Sequence, residues 1–403
     1  MEIYVRPGDS LWSYSQWFQI PLQLIIDSNP DISPAFLAVG QPVQIPGFVS
    51  ESYQIAPGDT LWQLAVQRNL NVNALLALNP GINANLLQIG QTIQLPLRVT
   101  WPIVQAQRSY DYAALTVDLE QLAAIYPFMR TRSIGTTVMG KNIPEARIGT
   151  GAKKVHVNGS FHANEWITTP VLMRFLNEYL LALTNNSSIR GLLMLPLYNA
   201  ASLSIVPNVN PDGVDLVING LPEEKPYRSS VLNINQGSTD FSGWKANIRG
   251  VDLNNQFPAE WEIEAARKPT QPSPRDYPGP APLTEPESIA MADLTREENF
   301  DRVLAFHTQG KVIFWGFLGL EPPESETLVT EFARVSGYTP IRTVDSYAGY
   351  KDWFIQDWRR PGFTVELGRG VNPLPISQFD EIYQEALGIL LASLPLFLFF
   401  HQS

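Results

Sequence analysis

The chain has 403 residues, no cysteine, and a formal net charge of −11 from 28 Lys and Arg against 39 Asp and Glu. At that length two or three domains are expected, and the acidity argues against a nucleic-acid backbone or an anionic membrane surface as partner. The missing cysteines exclude disulfides, thiol nucleophiles and thiolate-bound zinc, which leaves His156, His162, His307 and His401 for any imidazole chemistry.

The opening residues carry no basic stretch followed by an apolar run, so no secretory signal is read. From Pro7 onward the chain repeats itself. Pro7-Gly8-Asp9-Ser10-Leu11-Trp12 recurs as Pro57-Gly58-Asp59-Thr60-Leu61-Trp62, Asn29-Pro30 as Asn79-Pro80, and Gly40-Gln41 as Gly90-Gln91, always at an offset of 50. Two tandem copies of one unit are therefore expected. In each, a short strand (3–5, 53–55) meets a Pro-Gly turn. Asp9 or Asp59 and the next hydroxyl residue, Ser10 or Thr60, stand where a helix N-cap belongs. A first helix starts at the Leu-Trp pair, a second covers 22–28 or 72–78, and a closing strand covers 42–45 or 92–95. Trp12 and Trp62 are expected on the apolar helix face, packed in the core.

The Gly-Asp-Ser/Thr-Leu-Trp opening, the Asn-Pro-x-Ile centre and the Gly-Gln-x-x-x-Ile/Leu-Pro close resemble the LysM peptidoglycan-binding module, twice over. The resemblance implies a βααβ fold and binding of N-acetylglucosamine-containing glycan. It points to Gly8, Asp9, Ser10, Asn29, Pro30 and Ile32 in the first copy, and to Gly58, Asp59, Thr60, Asn79, Pro80 and Ile82 in the second. The expected organisation is a module over 1–47, a second over 51–97 and a larger domain over 105–403, with 97–104 as an extended link stiffened by Pro96 and Pro102.

Residues 111–126 are apolar at helical spacing. Strands are expected at 130–136, 145–149, 155–158, 202–207, 303–306, 312–316 and 363–367, with an apolar helix over 170–183. Strands alternating with helices predict an α/β domain with a mixed sheet and helices on both faces. Loops at the strand C-termini should carry the site. His162 follows one such strand, with Glu165 three residues on, and His307 ends another. His, Glu and His with one open position suit catalytic zinc. His156 reads as a packed strand residue, the Pro-rich stretch 258–286 as a long surface loop with a rim role in substrate selection as the alternative, and the apolar run 386–400 as a buried C-terminal helix, with a membrane-surface contact as the alternative, too short to span a bilayer comfortably.

The wider set resembles the zinc carboxypeptidase A superfamily: His162-Ala-Asn-Glu165-Trp, Asn210-Pro-Asp-Gly213, Trp244-Lys245, Arg249-Gly-Val-Asp-Leu-Asn254, Glu285-Pro-Glu287, Phe306-His307 and Phe363-Thr-Val-Glu366-Leu, in the family's order. That resemblance implies an α/β/α sandwich around a mixed, mostly eight-stranded sheet. It implies one Zn²⁺ per catalytic domain, held by His162, Glu165 and His307, and Glu366 as general base. Lys245 stands where the family has an oxyanion-stabilising Arg. The family's Asn-Arg clamp for a C-terminal carboxylate becomes Asn254-Asn255, and Asn164 replaces an Arg between the first two ligands. Tyr347, with Tyr350 as rival, corresponds to a Tyr that closes over substrate.

These departures, together with Glu366-Leu-Gly-Arg-Gly-Val-Asn-Pro373, resemble the branch of bacterial γ-D-glutamyl-L-diamino acid peptidases. The reaction implied is hydrolysis of the γ-D-glutamyl to meso-diaminopimelate (or L-Lys) amide in peptidoglycan stem peptides. Such a substrate bears carboxylates, for which Arg249, Lys245 and Arg369 are the cations offered by sequence position. The partner implied is peptidoglycan, with no nucleic acid and no transmembrane segment; tandem modules able to bridge chains leave room for a homodimer. An unsignalled chain of this type is expected in the cytoplasm or the spore mother cell, acting on wall material. Two other readings compete: a zinc hydrolase of ordinary peptides or N-acyl amino acids, and an inert wall-binding adaptor. Retention of all three ligands and Glu366 counts against the second.

Overall fold

In the first repeat, strand β1 (Glu2–Tyr4) pairs antiparallel with β2 (Pro42–Gln44), Ile3 opposite Val43. Helices α1 (Leu11–Phe18) and α2 (Leu22–Asp27) fall between them. The second repeat has β3 (Phe48–Gln54), α3 (Leu61–Gln67), α4 (Val72–Leu78) and β4 (Thr92–Arg98), Tyr53 opposite Ile93. Pairing of Leu97 and Arg98 with Val49 and Phe48 carries the strand into the expected link. Ser10 and Thr60 cap their helices, accepting the N–H of Ser13 and Gln63.

The conserved-looking asparagines of the repeat are internal clamps. Asn29 donates to Ile25 O and Gln44 O and accepts the Gln44 N–H, all at 2.8 Å. Asn79 makes the same three bonds to Leu75 and Gln94. Each clamp ties the end of the second helix to the closing strand.

Trp12 and Trp62 do not pack in the core: they are 62 % and 66 % exposed. Adjacent residues on a helix point about 100° apart, and Leu11 and Leu61 take the inward direction with Tyr14 and Leu64.

This computed structural model describes residues 1–395. The chain divides into two compact units. One comprises 1–103 with 118–130 and 176–196; the other comprises 104–117, 131–175 and 197 onward. Helix α5 (Tyr112–Ile125) leads to strands β5 (Arg130–Thr136), β6 (Asn142–Ile148) and β7 (Lys153–Gly159). Helix α6 (Thr168–Asn185) and a small hairpin, β8 (Ser188–Ile189) with β9 (Leu192–Leu193), precede β10 (Ala201–Val206). Then come β11 (Arg302–Thr308), β12 (Val312–Phe314), β13 (Thr339–Ile341) and β14 (Gly362–Leu367).

The main sheet has eight strands in the order β13-β12-β14-β11-β7-β10-β6-β5. Its centre, β14-β11-β7-β10, is parallel, with antiparallel pairs at β12–β14 and β10–β6. The sequence reading has every strand of this sheet but β13. That edge strand is three residues long with Pro340 at its middle, a residue tolerated only where no ladder partner needs its N–H.

His156 is buried in β7 between the Ser204 hydroxyl and the Asn158 amide, as a packed strand residue should be. The C-terminal apolar run lies in the helix Phe379–Ser393 and is buried over 386–393; its last residues and His401 lie outside the described residues. Among the described residues no helix is long and apolar enough to cross a membrane.

Glu287 opens the helix Pro286–Glu298 and is fully buried. Its carboxylate accepts the Val138 N–H at 3.1 Å and faces the Asn247 amide at 3.4 Å. Burial pushes this carboxyl up to about 7; backbone N–H bonds oppose the shift, and the charges of Asp212 and Glu285 add to it. A folded pKa above the unfolded one means that the native state holds the proton longer. Stability from this group is therefore present at low pH and lost as pH rises from about 4.5 to about 7. Urea unfolding of wild type and Glu287→Gln at pH 4.5 and pH 8 should show the difference moving toward the variant by up to about 3 kcal/mol at the higher pH. A difference independent of pH would contradict this assignment.

Candidate active site

Three parallel strands end together. Phe306 of β11 lies opposite Gly159 of β7, and His307 lies opposite Glu366 of β14. A side chain at 159 has no room: a Cβ there would sit 2.9 Å from Thr168 Oγ1 and 3.1 Å from Pro207 O. The next residue, Ser160, takes a left-handed φ of +52°. Its N–H donates to Thr168 Oγ1 at 2.8 Å, and its hydroxyl bonds those of Thr168 and Thr169. The chain turns there, and the 3-10 turn Ala163–Glu165 brings His162 and Glu165 to one point.

At that point His162 Nδ1 is 2.9 Å from Glu165 Oε1 and 3.1 Å from His307 Nδ1, and His307 Nδ1 is 2.9 Å from Glu165 Oε2. Zinc with bonds of about 2.0–2.2 Å in tetrahedral geometry sets its donors about 3.3–3.5 Å apart, so a small relaxation admits the ion. The donor set, two imidazoles and a carboxylate with one position open, is that of a catalytic zinc site.

The electrostatics ask for a cation. Burial opposes charge on both rings. At His162 the carboxylates of Glu165 and Asp252 outweigh burial and raise it to about 9, while His307 stays lowered. Burial likewise opposes ionisation of Glu165, but His162 and the bonds from both rings hold it below the usual carboxylate range. A positive charge on His162 offsets the Glu165 carboxylate, and a divalent ion held by the three donors would take over that part.

The surrounding groups hold the ligands in place. Thr308 N–H donates to Glu165 Oε2 at 3.1 Å. Asn372 donates to Thr308 O at 2.9 Å and reaches Glu165 Oε1 at 3.5 Å. Asp252 Oδ1 lies 3.2 Å from His162 Nε2 and its Oδ2 lies 3.2 Å from Lys245 Nζ. A carboxylate behind a ligating imidazole fixes tautomer and orientation and commonly contributes 10–100-fold in metal affinity. Asp252→Asn should weaken zinc binding by about that factor, as read by competition with a chromogenic chelator; an unchanged affinity would remove Asp252 from this role.

The donors open on a cleft of about 650 Å³, with Glu366, Lys245, Asn164 and Arg275 on its walls. Burial, then the Glu165 charge, raises the Glu366 carboxyl well above its usual range. A carboxyl so shifted is suited to accept and return a proton near neutral pH.

Other sequence candidates lie elsewhere. Arg249 is half-exposed and pairs with Glu285 at 3.5 Å. Asn254 and Asn255 form the 3-10 turn Leu253–Asn255, where Asn254 Oδ1 accepts the Tyr350 N–H. Tyr347 packs edge-on to Phe317 and lines a separate cavity of about 440 Å³. Tyr350 is fully buried, its hydroxyl bonded to that of Thr295. Arg369 is exposed beside Gly370 at the cleft.

Asp252 and Asn372 stand inside motifs quoted from the sequence, but nothing in the sequence singled them out. Arg275 and Asp276 had no sequence signal beyond a place in the Pro-rich stretch.

In the repeats, most polar motif side chains are used internally. Asp9 accepts from Arg6 and Tyr14, and Asp59 from Ala56 N–H and Tyr53. Gly8 and Gly58 turn the chain at φ +86° and +88°. Apolar side chains also face solvent: Trp12, Phe36 and Val39 in the first repeat, Trp62, Leu86 and Ile89 at the same positions of the second, with Pro30 and Pro80 also exposed and Ile32 and Ile82 half-exposed.

Comparison with known proteins agrees with this geometry. Residues 3–46 and 53–96 each match the LysM domain. A Lysinibacillus sphaericus protein named gamma-D-glutamyl-L-diamino acid endopeptidase 1 is 67% identical over 394 residues, covering 98% of this chain and 100% of its own. An uncharacterized Bacillus subtilis protein is 50% identical over 303 residues, 74% of this chain and 80% of its own. Carboxypeptidase A from Helicoverpa armigera shares the fold at a TM-score of 0.53 and 16% identity, covering 86% of this chain and 98% of its own. Residues 115–388 match the zinc carboxypeptidase family, and with that span and these relatives the chain belongs to it.

Proposed function

We propose that this protein hydrolyses the amide between the γ-carboxyl of D-Glu and a diamino acid in peptidoglycan stem peptides. The observation that carries the reading is identity of 67% over 98% of the chain to a relative named for that bond, joined to a zinc-type donor set with the half-buried Glu366 carboxyl at the same cleft. In this reading 1–47 and 51–97 are glycan-binding modules and 105–403 is the catalytic domain.

His162, Glu165 and His307 hold the zinc. When bound, it supplies Lewis acidity toward water and toward the amide carbonyl. Asp252 keeps the Nδ1 of His162 aimed at the ion by holding its Nε2. The Glu366 carboxylate takes a proton from water and delivers it to the leaving nitrogen. Lys245, between Asp252 and Asp276 at 3.2 and 3.4 Å, braces the Asp252 carboxylate and keeps positive charge at the cleft wall. The modules hold the enzyme on the polymer that carries its substrate, raising the local concentration of stem peptide. Their exposed Trp12 and Trp62 rings offer faces for sugar.

The test is mass-spectrometric analysis of L-Ala-γ-D-Glu-meso-diaminopimelate after incubation with the zinc-loaded protein. Release of free diaminopimelate is expected. An intact tripeptide with zinc bound would overturn the reading, and release of C-terminal residues from plain L-peptides would replace it with an ordinary carboxypeptidase. Joint Trp12→Ala and Trp62→Ala should reduce retention on insoluble peptidoglycan while leaving tripeptide turnover intact.

A further inference from the structure

A stem peptide brings carboxylates into the cleft; of the cations expected there, Arg249 and Lys245 are committed elsewhere, and Arg369 is exposed beside Gly370 with its backbone bonded to Gln378. Asn255 replaces the family's clamp arginine. Arg249 pairs with Glu285. Lys245 has a carboxylate on each side, Asp252 and Asp276. Arg275 also lines the cleft, and it comes from the Pro-rich stretch. Its side chain is 61 % exposed, and its Nε donates to Asp276 Oδ2 at 2.9 Å. Its two terminal nitrogens have no partner among the described residues.

The segment that carries it is not a free loop. Ser273 N–H donates to Gly250 O at 3.0 Å. Pro274 O accepts the N–H groups of Lys245 and Ala246 at 2.8 and 3.0 Å. Tyr277 O accepts the Asp252 N–H at 2.7 Å. These bonds tie 273–277 to the strip 245–252, whose Asp252 orients a zinc ligand. Between them Asp276 sits at φ +67°, in the left-handed region that Asp tolerates better than most residues. Asp276 turns its carboxylate to Lys245, and Arg275 is left at the cleft wall. The position of Arg275 relative to the zinc donors is thus set by backbone hydrogen bonds.

We infer that Arg275 is the carboxylate-binding residue of this cleft, its free guanidinium edge receiving a substrate carboxylate in a two-point ion pair. The inference rests on the stem-peptide reading above. Two sources of carboxylate qualify: the α-carboxylate of D-Glu on the acyl side, and a carboxylate of the diamino acid on the leaving side. Arg275 thereby does by a different route what the family's clamp arginine does from the position of Asn255, and it selects substrates that keep a carboxylate there.

The experiment compares wild type, Arg275→Gln and Arg275→Lys on three tripeptides: the diaminopimelate parent, an analogue amidated at the D-Glu α-carboxylate, and an analogue amidated on the diaminopimelate. Arg275→Gln should raise KM for the parent about 10–100-fold with kcat within about threefold, and Arg275→Lys should recover part of the loss. The effect of Arg275→Gln should vanish on one amidated analogue only, which identifies the carboxylate that is held. Unchanged kcat/KM of Arg275→Gln on the parent, or an equal loss on both analogues, would overturn the inference while wild-type turnover leaves the reaction itself standing. No diaminopimelate released by wild type would sink the reading and the inference together.

Discussion

Glu366→Gln is expected to lower kcat by about 10²–10⁴-fold while zinc content and fold are kept. The substitution is nearly isosteric and removes only the ability to take up and return a proton at that oxygen. The carboxyl is half-buried beside Glu165, where desolvation and like charge already disfavour its ionised form. Removing that charge relieves a cost in the native state, so the variant should unfold at no lower temperature than wild type. Lost turnover in a variant of full zinc content and stability assigns Glu366 to proton transfer. Retention of more than a tenth of wild-type kcat would take that role away.

Withdrawing the metal is the second large effect. A strong chelator should abolish turnover, Zn²⁺ should restore it, and the stripped protein should unfold at lower temperature, since a ligand bound only by the native state stabilises it by mass action. Glu165→Gln should act the same way without chelator. It keeps an oxygen for the Thr308 N–H bond but removes the charge that offsets the ion, and turnover should fall below a thousandth of wild type (about the contribution of such Lewis acidity). Metal analysis of the purified variant separates loss of zinc from loss of chemistry. Full activity in zinc-free protein would rule out the metal assignment.

Asp252, Asn372 and Arg275 show where sequence reasoning stops. Asp252 meets His162 and Asn372 meets Glu165 and Thr308, all far away in the chain, and the segment that carries Arg275 is tied to 245–252. No local pattern records such a meeting. The zinc donors were legible because two of them share a turn and the third ends an apolar strand. Arg249 and Tyr347 looked equally suitable on sequence position, and it is tertiary structure that gives one to Glu285 and the other to a different cavity.

The repeats show the same division within a single motif. Their period of 50 and their caps could be read directly, because turns and helix starts depend on neighbouring residues. Whether Leu11 or Trp12 faced inward could not, because both suit a buried helix face and only packing against the second helix and the strands chooses between them.

By itself, then, the sequence determined the tandem modules and the α/β domain. Both rest on periodicity and capping at short range, whereas His162, Glu165, His307 and Glu366 were reached through motifs that resemble a known family. The tertiary structure decided which carboxylate steadies His162, which side chains of the repeats reach solvent, and which arginine lines the cleft, because those outcomes depend on hydrogen bonds and packing between segments up to 207 residues apart.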